Sequence, residues 1–339
     1  MNTTLASTDV MTAVVSRGYG PPESLEITQI PRPAPKAHEV LVRNHASVVT
    51  HAVTEARRGP LMARLYFGLT KPKWPVLGTN FAGTVIAISP SVTRFAVGDR
   101  VTGINVSDFG AHAEYIVATE DGVIVPTPAG FSDVETVAVF DGSITALPFI
   151  RDRARLSAGQ SILINGAAGA VGSAAVQLAK HYGANVTAVC STGNMEAVRA
   201  LGADHVIDYS AEDFTQARDA YNVVFDSVGK SSFARVRRSL TRDGLYLTTV
   251  PSVGILARML WSAFFGQRKA AILFTGLAKP AEMARNFAYL RELVEQGALV
   301  PLISSVHPIE QAAESHRVVE TGHKRGSAVI TFDTVGGVS

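Results

Sequence analysis

The chain has 339 residues, with 31 lysines and arginines against 29 aspartates and glutamates and no long basic run, so it carries no nucleic-acid footprint. Its one cysteine, Cys190, excludes an internal disulfide and any multi-cysteine metal site. A hydrophobic content of 47% over this length is enough for roughly two domains, each with its own core.

From the N-terminus, residues 1–11 lack the apolar core of a signal peptide. Short strands are expected over 11–16 and 26–29, about the turn Gly20-Pro21-Pro22, and a proline-rich connector spans 31–35. Residues 39–45 alternate as a half-buried strand should, and 48–58 read as helix. Strand signals at 81–89 and 100–104 flank a turn ending in Gly98-Asp99, and 113–118 and 122–125 add two more. Many short strands with Pro- and Gly-rich turns predict a barrel-like β domain.

After Phe131 the pattern changes. A helix is predicted over 132–140, with Ser132 as N-cap and Glu135 at the reciprocal position, and a second over 143–153. Strands at 161–164, 186–189, 205–207, 223–225 and 245–249 then alternate with helices at 195–201, 212–220 and 232–240. That alternation predicts a doubly wound parallel sheet in an α/β fold. Helices over 280–296 and 308–320 and a strand over 327–332 are expected to return to the β domain. The apolar stretch 255–265 is interrupted by Arg258 and is too short to span a bilayer. The expectation is a cytoplasmic protein with no membrane span.

The stretch Asn165-Gly166-Ala167-Ala168-Gly169-Ala170-Val171-Gly172 sits between the strand at 161–164 and a helix expected to stop at Gly183. Strand, turn of small residues and helix start form a cradle for a dinucleotide pyrophosphate, because the backbone can approach the phosphates and the helix aims free N–H groups at them. The spacing departs from G-x-G-x-x-G at its first slot, which holds Ala167; a tight strand-to-helix turn with no ligand shares the pattern. The next strand of such a unit often ends in an acid that binds the adenosine ribose and favours NAD. Here it ends in Cys190 and continues Ser191-Thr192-Gly193-Asn194. Hydroxyls and an amide can donate to a 2′-phosphate that a carboxylate would repel, so NADP(H) is the expected cofactor. The nearest arginine is Arg199.

This loop, A-L-G-A-D-H-V-I-D-Y at 200–209 and F-D-S-V-G at 225–229 come with V-L-G-T-N-F-A-G-T-V at 76–85, R-F-A-V-G-D-R-V at 94–101 and G-S-I-T-A-L at 142–147. In that order they resemble the medium-chain dehydrogenases/reductases over nearly the whole chain. Within them, the chain is similar to the zinc-free quinone oxidoreductase branch, the zeta-crystallin-like proteins. The resemblance implies a GroES-like β-barrel catalytic domain over 1–130, completed by about 298–339, and a Rossmann NADP-binding domain over 131–297. It implies that Ala168, Gly169, Ala170 and Val171 hold the pyrophosphate and that Ser191, Thr192, Asn194 and Tyr209 face the 2′-phosphate. Ser227 and Val228 would line the ribose, Thr145, Thr249, Val250 and Pro251 the nicotinamide, and Lys324 would be a further phosphate contact.

Zinc-dependent relatives carry a cysteine near Val49, Gly-His-Glu where this chain has Gly78-Thr79-Asn80, and a four-cysteine lobe. Without those thiolates and imidazoles no catalytic zinc is expected. The acid usual near Ala52 or Val53 and the acid at Asn80 are also replaced, which leaves Thr50 and His51 as substrate-side candidates. The implied reaction is hydride transfer from NADPH to a quinone or an activated C=C of a small hydrophobic carbonyl compound. Tyr66 and His51 are the candidate proton donors. The alternatives are an NAD(P)-dependent alcohol dehydrogenase-type reductase of carbonyls and a non-catalytic NADPH-binding protein. A short-chain dehydrogenase is disfavoured, since none of the eight tyrosines has a lysine four positions later. An edge strand between Ala270 and Leu277 is expected to pair two chains into a homodimer, while 255–265 would cover either the substrate or that contact.

Overall fold

The computed structural model describes residues 10–106, 108–264 and 267–332. Its elements begin with β1 (Val10–Val15), β2 (Glu26–Pro31) and β3 (Glu39–Val49). Two short helices follow, α1 (His51–Arg58) and α2 (Leu61–Phe67). Then come β4 (Asn80–Ile88), β5 (Arg100–Ile104), β6 (Tyr115–Thr119), β7 (Ile124–Pro126) and α3 (Asp133–Leu147). The alternating part holds β8 (Ser161–Asn165), α4 (Ala170–His181), β9 (Asn185–Cys190), α5 (Met195–Ala200) and β10 (His205–Asp208). It continues with β11 (Tyr221–Asp226), α6 (Phe233–Val236), β12 (Leu240–Thr248), α7 (Val253–Phe264) and β13 (Lys269–Ile272). The chain closes with α8 (Pro280–Glu295), β14 (Ile303–Pro308), α9 (Ala312–Glu320) and β15 (Ser327–Thr331).

The chain divides into two compact units, one of 1–141, 279–291 and 303–339, the other of 142–278 and 292–302. In the first, β1 and β2 form an antiparallel ribbon. A larger sheet runs β14-β15-β3-β4-β5-β7, with β6 also on β3. All its pairs are antiparallel except β14 with β15. The C-terminal strand thus lies against Ala46–Val49 of β3, as Ala328 opposite Val49 and Thr331 opposite Ala46. The core here gathers Val14, Val49, Val53, Leu77 and Phe109 with Ile309, Ala328 and Ile330.

In the second unit six parallel strands run β10-β9-β8-β11-β12-β13. The central strands are nearly continuous apolar runs, such as Ile162-Leu163-Ile164, because both faces of the sheet are covered. Ser132 and Glu135 make the expected reciprocal cap on α3: the Glu135 N–H donates to Ser132 Oγ at 3.2 Å and the Ser132 N–H to Glu135 Oε2 at 2.9 Å.

Four local expectations are corrected. The two helices expected at 132–140 and 143–153 are one α-helix to Leu147 followed by a π-helical turn, Pro148–Arg153. No helix forms over 212–220. The Asp213 carboxylate takes the Thr215 N–H at 3.0 Å and hydroxyl at 2.7 Å, plus the Gln216 amide at 3.0 Å, and these local bonds outcompete the helical ladder. α6 stops at Val236, and β12 claims Leu240. The edge strand expected between Ala270 and Leu277 ends at Ile272, where a 3₁₀ turn, Thr275–Leu277, takes over; β13 is nevertheless the outermost strand of its sheet. The stretch 255–265 is helical as far as Phe264, and Phe265 lies outside the described residues.

Candidate active site

Five parallel strands of the second unit each end at residues singled out from the sequence. β8 leads into Ala168, Gly169, Ala170 and Val171; β9 into Ser191, Thr192 and Asn194; β10 into Tyr209; β11 into Ser227 and Val228; β12 into Thr249, Val250 and Pro251. The winding reverses between β8 and β11, and the carboxyl ends of strands at such a reversal are where open α/β sheets bind ligands.

The turn after β8 is tied to the next strand, with the Gly166 and Ala167 N–H groups both donating to the Val189 carbonyl, at 3.1 and 3.0 Å. Gly166 has φ +81°, and a Cβ there would meet Val228 Cγ1 at 2.5 Å. A Cβ on Gly172 would run into the Gly166 carbonyl and sit 2.8 Å from Ala167 Cα, so this position must be glycine for α4 to pack on the turn. At Gly169, by contrast, a Cβ would meet only the Gly166 oxygen at 3.5 Å. That open side, beside the first N–H groups of the twelve-residue α4, suits a pyrophosphate. On α3, a Cβ at Gly142 would collide with the Ala170 carbonyl. Thr145, three residues on and half-buried, shares that face.

Asp226, wholly buried at the end of β11, organises the neighbouring loop and was not singled out from sequence. Its Oδ1 accepts from Asn165 Nδ2 at 2.9 Å and from the Gly229 N–H at 3.0 Å. Its Oδ2 accepts from the Ser231 N–H at 2.9 Å and the Tyr246 hydroxyl at 3.2 Å. Burial first, and the Asp226 charge second, raise the Tyr246 hydroxyl above its usual range, so it stays a donor. The Thr249 hydroxyl donates to the Ser227 carbonyl at 3.1 Å. Val228 and Val250 are 39% and 40% exposed, which makes them lining of this edge, not core.

At the β9 end, Asn194 Nδ2 donates to Ser191 Oγ at 3.0 Å. The acid absent from this loop is supplied by the next strand, since the Thr192 hydroxyl donates to Asp208 Oδ2. Bonds from the Ser210 hydroxyl and then Thr192 hold the Asp208 carboxyl below its usual range. Tyr209 is half exposed beside it. The strand expected at 205–207 runs one residue further, so Asp208 closes it.

Lys324 belongs to the first unit and precedes β15. Its Nζ donates to the Gly326 carbonyl at 2.9 Å, in a buried setting shared with Asp141 and Ser327. Burial lowers the Lys324 ammonium and raises the Asp141 carboxyl, each partly opposed by the other's charge.

The first unit holds both candidate proton donors. Thr50 caps α1, its hydroxyl accepting the Val53 N–H at 3.1 Å, and so presents His51, exposed, as the first helical residue. Tyr66 on α2 is 49% exposed, its ring edge-on to Phe67 at 5.0 Å. Behind α1 lies a buried polar cluster that sequence reading did not anticipate. Arg57, fully buried, donates to the Gly20 carbonyl and to Glu320, and its Nε donates to His316 Nδ1 at 3.3 Å. His112 lies edge-on to His316 at 5.8 Å and bonds the Val48 carbonyl through Nε2 at 3.2 Å. Burial pushes His112 down to about 4 and, with help from His112 and Arg57, His316 down to about 2.

The residues present do not suit a catalytic zinc. Val49 offers no donor atom, Thr79 Oγ1 is engaged with Asn80 Oδ1 at 2.8 Å, and no three metal-binding side chains cluster among the described residues.

Two family models match the chain, one described as alcohol dehydrogenase GroES-like domain over residues 36–129, the other as zinc-binding dehydrogenase over 201–330. The chain is similar to the chloroplastic quinone-oxidoreductase homolog of Spinacia oleracea, with 28% identity over 95% of this chain and 98% of that one. It is similar to the 2-methylene-furan-3-one reductase of Solanum lycopersicum, with 30% identity over 92% of this chain and 76% of that one. Among solved structures it is similar to the quinone oxidoreductase of Coxiella burnetii, at TM-score 0.82 and 27% identity, covering 96% of this chain and all of that one.

Proposed function

The chain belongs to the medium-chain dehydrogenase/reductase superfamily of nicotinamide-dependent oxidoreductases, in its quinone-oxidoreductase-like branch, and from that premise we propose a zinc-independent NADPH reductase of quinones or of C=C bonds activated by a carbonyl. The observation that carries the reading is the convergence of nucleotide-binding loops at the carboxyl edge of the parallel sheet, in a chain whose Val49 cannot ligate a metal. NADPH, when bound, supplies the hydride. The chain's own part is orientation: the first amides of α4 face the pyrophosphate, and Ser191 and Asn194 offer donors to the 2′-phosphate. Asp208 tempers that preference, because its carboxylate occupies the Thr192 hydroxyl and repels a second anion nearby. Once hydride has added to the electrophilic carbon, charge collects on the substrate oxygen, which then needs a proton. The substrate carbonyl already accepts that charge, so no Lewis acid is required of the protein. We assign the proton to the Tyr66 hydroxyl. We also infer a homodimer formed by pairing of the β13 edges, and a cytoplasmic location.

The test follows NADPH oxidation against a panel of quinones and enones, with added zinc and with a chelator. Turnover that neither addition alters is expected, with kcat/KM higher for NADPH than for NADH. Tight binding of NADPH with no turnover on any acceptor would identify a binding protein instead, and loss of activity with chelator would restore the zinc reading. Tyr66→Phe is expected to lower kcat by about tenfold or more while leaving the NADPH dissociation constant unchanged. Equal turnover by this variant removes Tyr66 from the mechanism.

A further inference from the structure

We propose that the outward face of α2 and the segment after it form a docking surface for an anionic membrane. Leu61, Leu65 and Leu69 are 81%, 73% and 70% exposed. Leu61 and Leu65 stand one helical turn apart, and Leu69 follows just beyond the glycine that ends the helix. The inward side of α2 is already satisfied. Phe67 packs with Trp74 against the Val14–Val49–Phe109 core, while Arg64 Nε donates to the Gly59 carbonyl at 2.6 Å and its guanidinium lies 4.8 Å from the Tyr19 ring. The leucines therefore project from a helix that needs none of them for its own packing.

A scattered exposed leucine means nothing by itself. Three on one short stretch, bordered by one sign of charge, is a different pattern. From residue 56 to residue 98 the sequence contains no aspartate or glutamate, while Arg57, Arg58, Arg64, Lys71, Lys73 and Arg94 fall within it. Three of these cations pair elsewhere, Arg57 with Glu320, Arg58 with Glu55 and Arg94 with Asp121. Lys71 and Lys73 remain exposed beside the leucines, with the Lys73 ammonium 4.6 Å from the Trp74 ring. Exposed leucines with lysines beside them are the groups that an interfacial segment presents to anionic lipid.

Size separates the possible occupants. A specific protein interface draws on roughly 20–30 residues a side, whereas residues 61–69 are a stretch of nine. A lipid surface sets no such threshold, because apolar side chains enter it singly and lysines meet its headgroups.

The test is flotation of the full chain with vesicles of phosphatidylcholine alone and of phosphatidylcholine with phosphatidylglycerol, at low and at physiological salt. The chain is expected to float with the anionic vesicles, more strongly at low salt. Leu65→Asp/Leu69→Asp should reduce the bound fraction by about tenfold or more, and Lys71→Glu/Lys73→Glu should abolish the preference for anionic lipid. All these side chains are exposed, and unchanged circular dichroism will show that the variants are folded. Absence of flotation with either vesicle overturns the proposal, as does flotation by the leucine variant equal to the unmodified chain. So does a change in sedimentation by that variant without flotation of the parent, which would assign the face to a second copy of this chain. No activity measurement enters, so this result stands apart from the proposed reaction.

Discussion

A Gly172→Ala chain is expected to lose nucleotide affinity and thermal stability together. The new methyl would be driven into the Gly166 carbonyl and to within 2.8 Å of Ala167 Cα, neither of which is a flexible side-chain end. Relief requires α4 to lift away from the turn after β8. Overpacking of this kind costs about 1–3 kcal/mol, and here the displaced atoms are those that would face the pyrophosphate. A fall of about tenfold or more in NADPH affinity should therefore accompany a melting temperature several degrees lower. Gly169→Ala is the informative partner. Its methyl meets only one atom, at 3.5 Å, so melting should be unchanged while affinity still falls, because the space entered is where the proposed pyrophosphate would lie. Differential scanning calorimetry and nucleotide titration on the two variants read both quantities. Normal melting and normal binding in Gly172→Ala would show that α4 is not seated by that contact.

The second large effect is acid lability of the first unit. His112 and His316 are neutral in the fold, with values pushed down to about 4 and about 2 against 6.5 in an unfolded chain. The sign follows from proton counting. Below pH 6.5 the unfolded chain takes up protons that the folded chain refuses, so stability is full above that pH and falls toward the folded values. For His112 alone the loss approaches roughly 3 kcal/mol by pH 4. Asp141 works in the opposite sense over part of this window, since its raised carboxyl gains a proton more readily in the fold. Denaturant titrations from pH 7 to pH 4.5 should show a steep decline, and His316→Leu should be less stable at pH 7 but visibly flatter with pH. A profile in that variant as steep as the parent's would acquit the histidines.

What could be read from the sequence was local. Ser132 and Glu135 announced their cap by spacing, and the strand at 100–104 was placed to the residue because its alternation is short and bounded by Gly98-Asp99. The strand–turn–helix at 161–181 was legible because an apolar run followed by small residues and an apolar-faced segment reads as that unit. Residues 212–220 misled because helix-compatible side chains there carry an aspartate that bonds its own neighbours. Residues 48 and 49 misled because pairing with β15 holds them extended, a constraint written some 280 positions later. The partners of Arg57 at Glu320, of Thr192 at Asp208 and of Asp226 at Tyr246 depend on which strands and helices become neighbours. No spacing rule along one chain encodes that. The hydrogen bond from Lys324 to the Gly326 carbonyl and its nearness to Asp141 are likewise matters of folding that no spacing announces.

The loop after β11 carries a consequence of its own. Its amides at Gly229 and Ser231 point at one buried carboxylate, which also ties it to β8 through Asn165 and to β12 through Tyr246. Ordering a free loop costs about 1–2 kcal/mol of backbone entropy per residue. Asp226 shifts that cost to folding, so the ribose contacts proposed at Ser227 and Val228 would be ordered before any nucleotide arrives. On that proposal a buried carboxylate behind the loop would raise affinity through order alone.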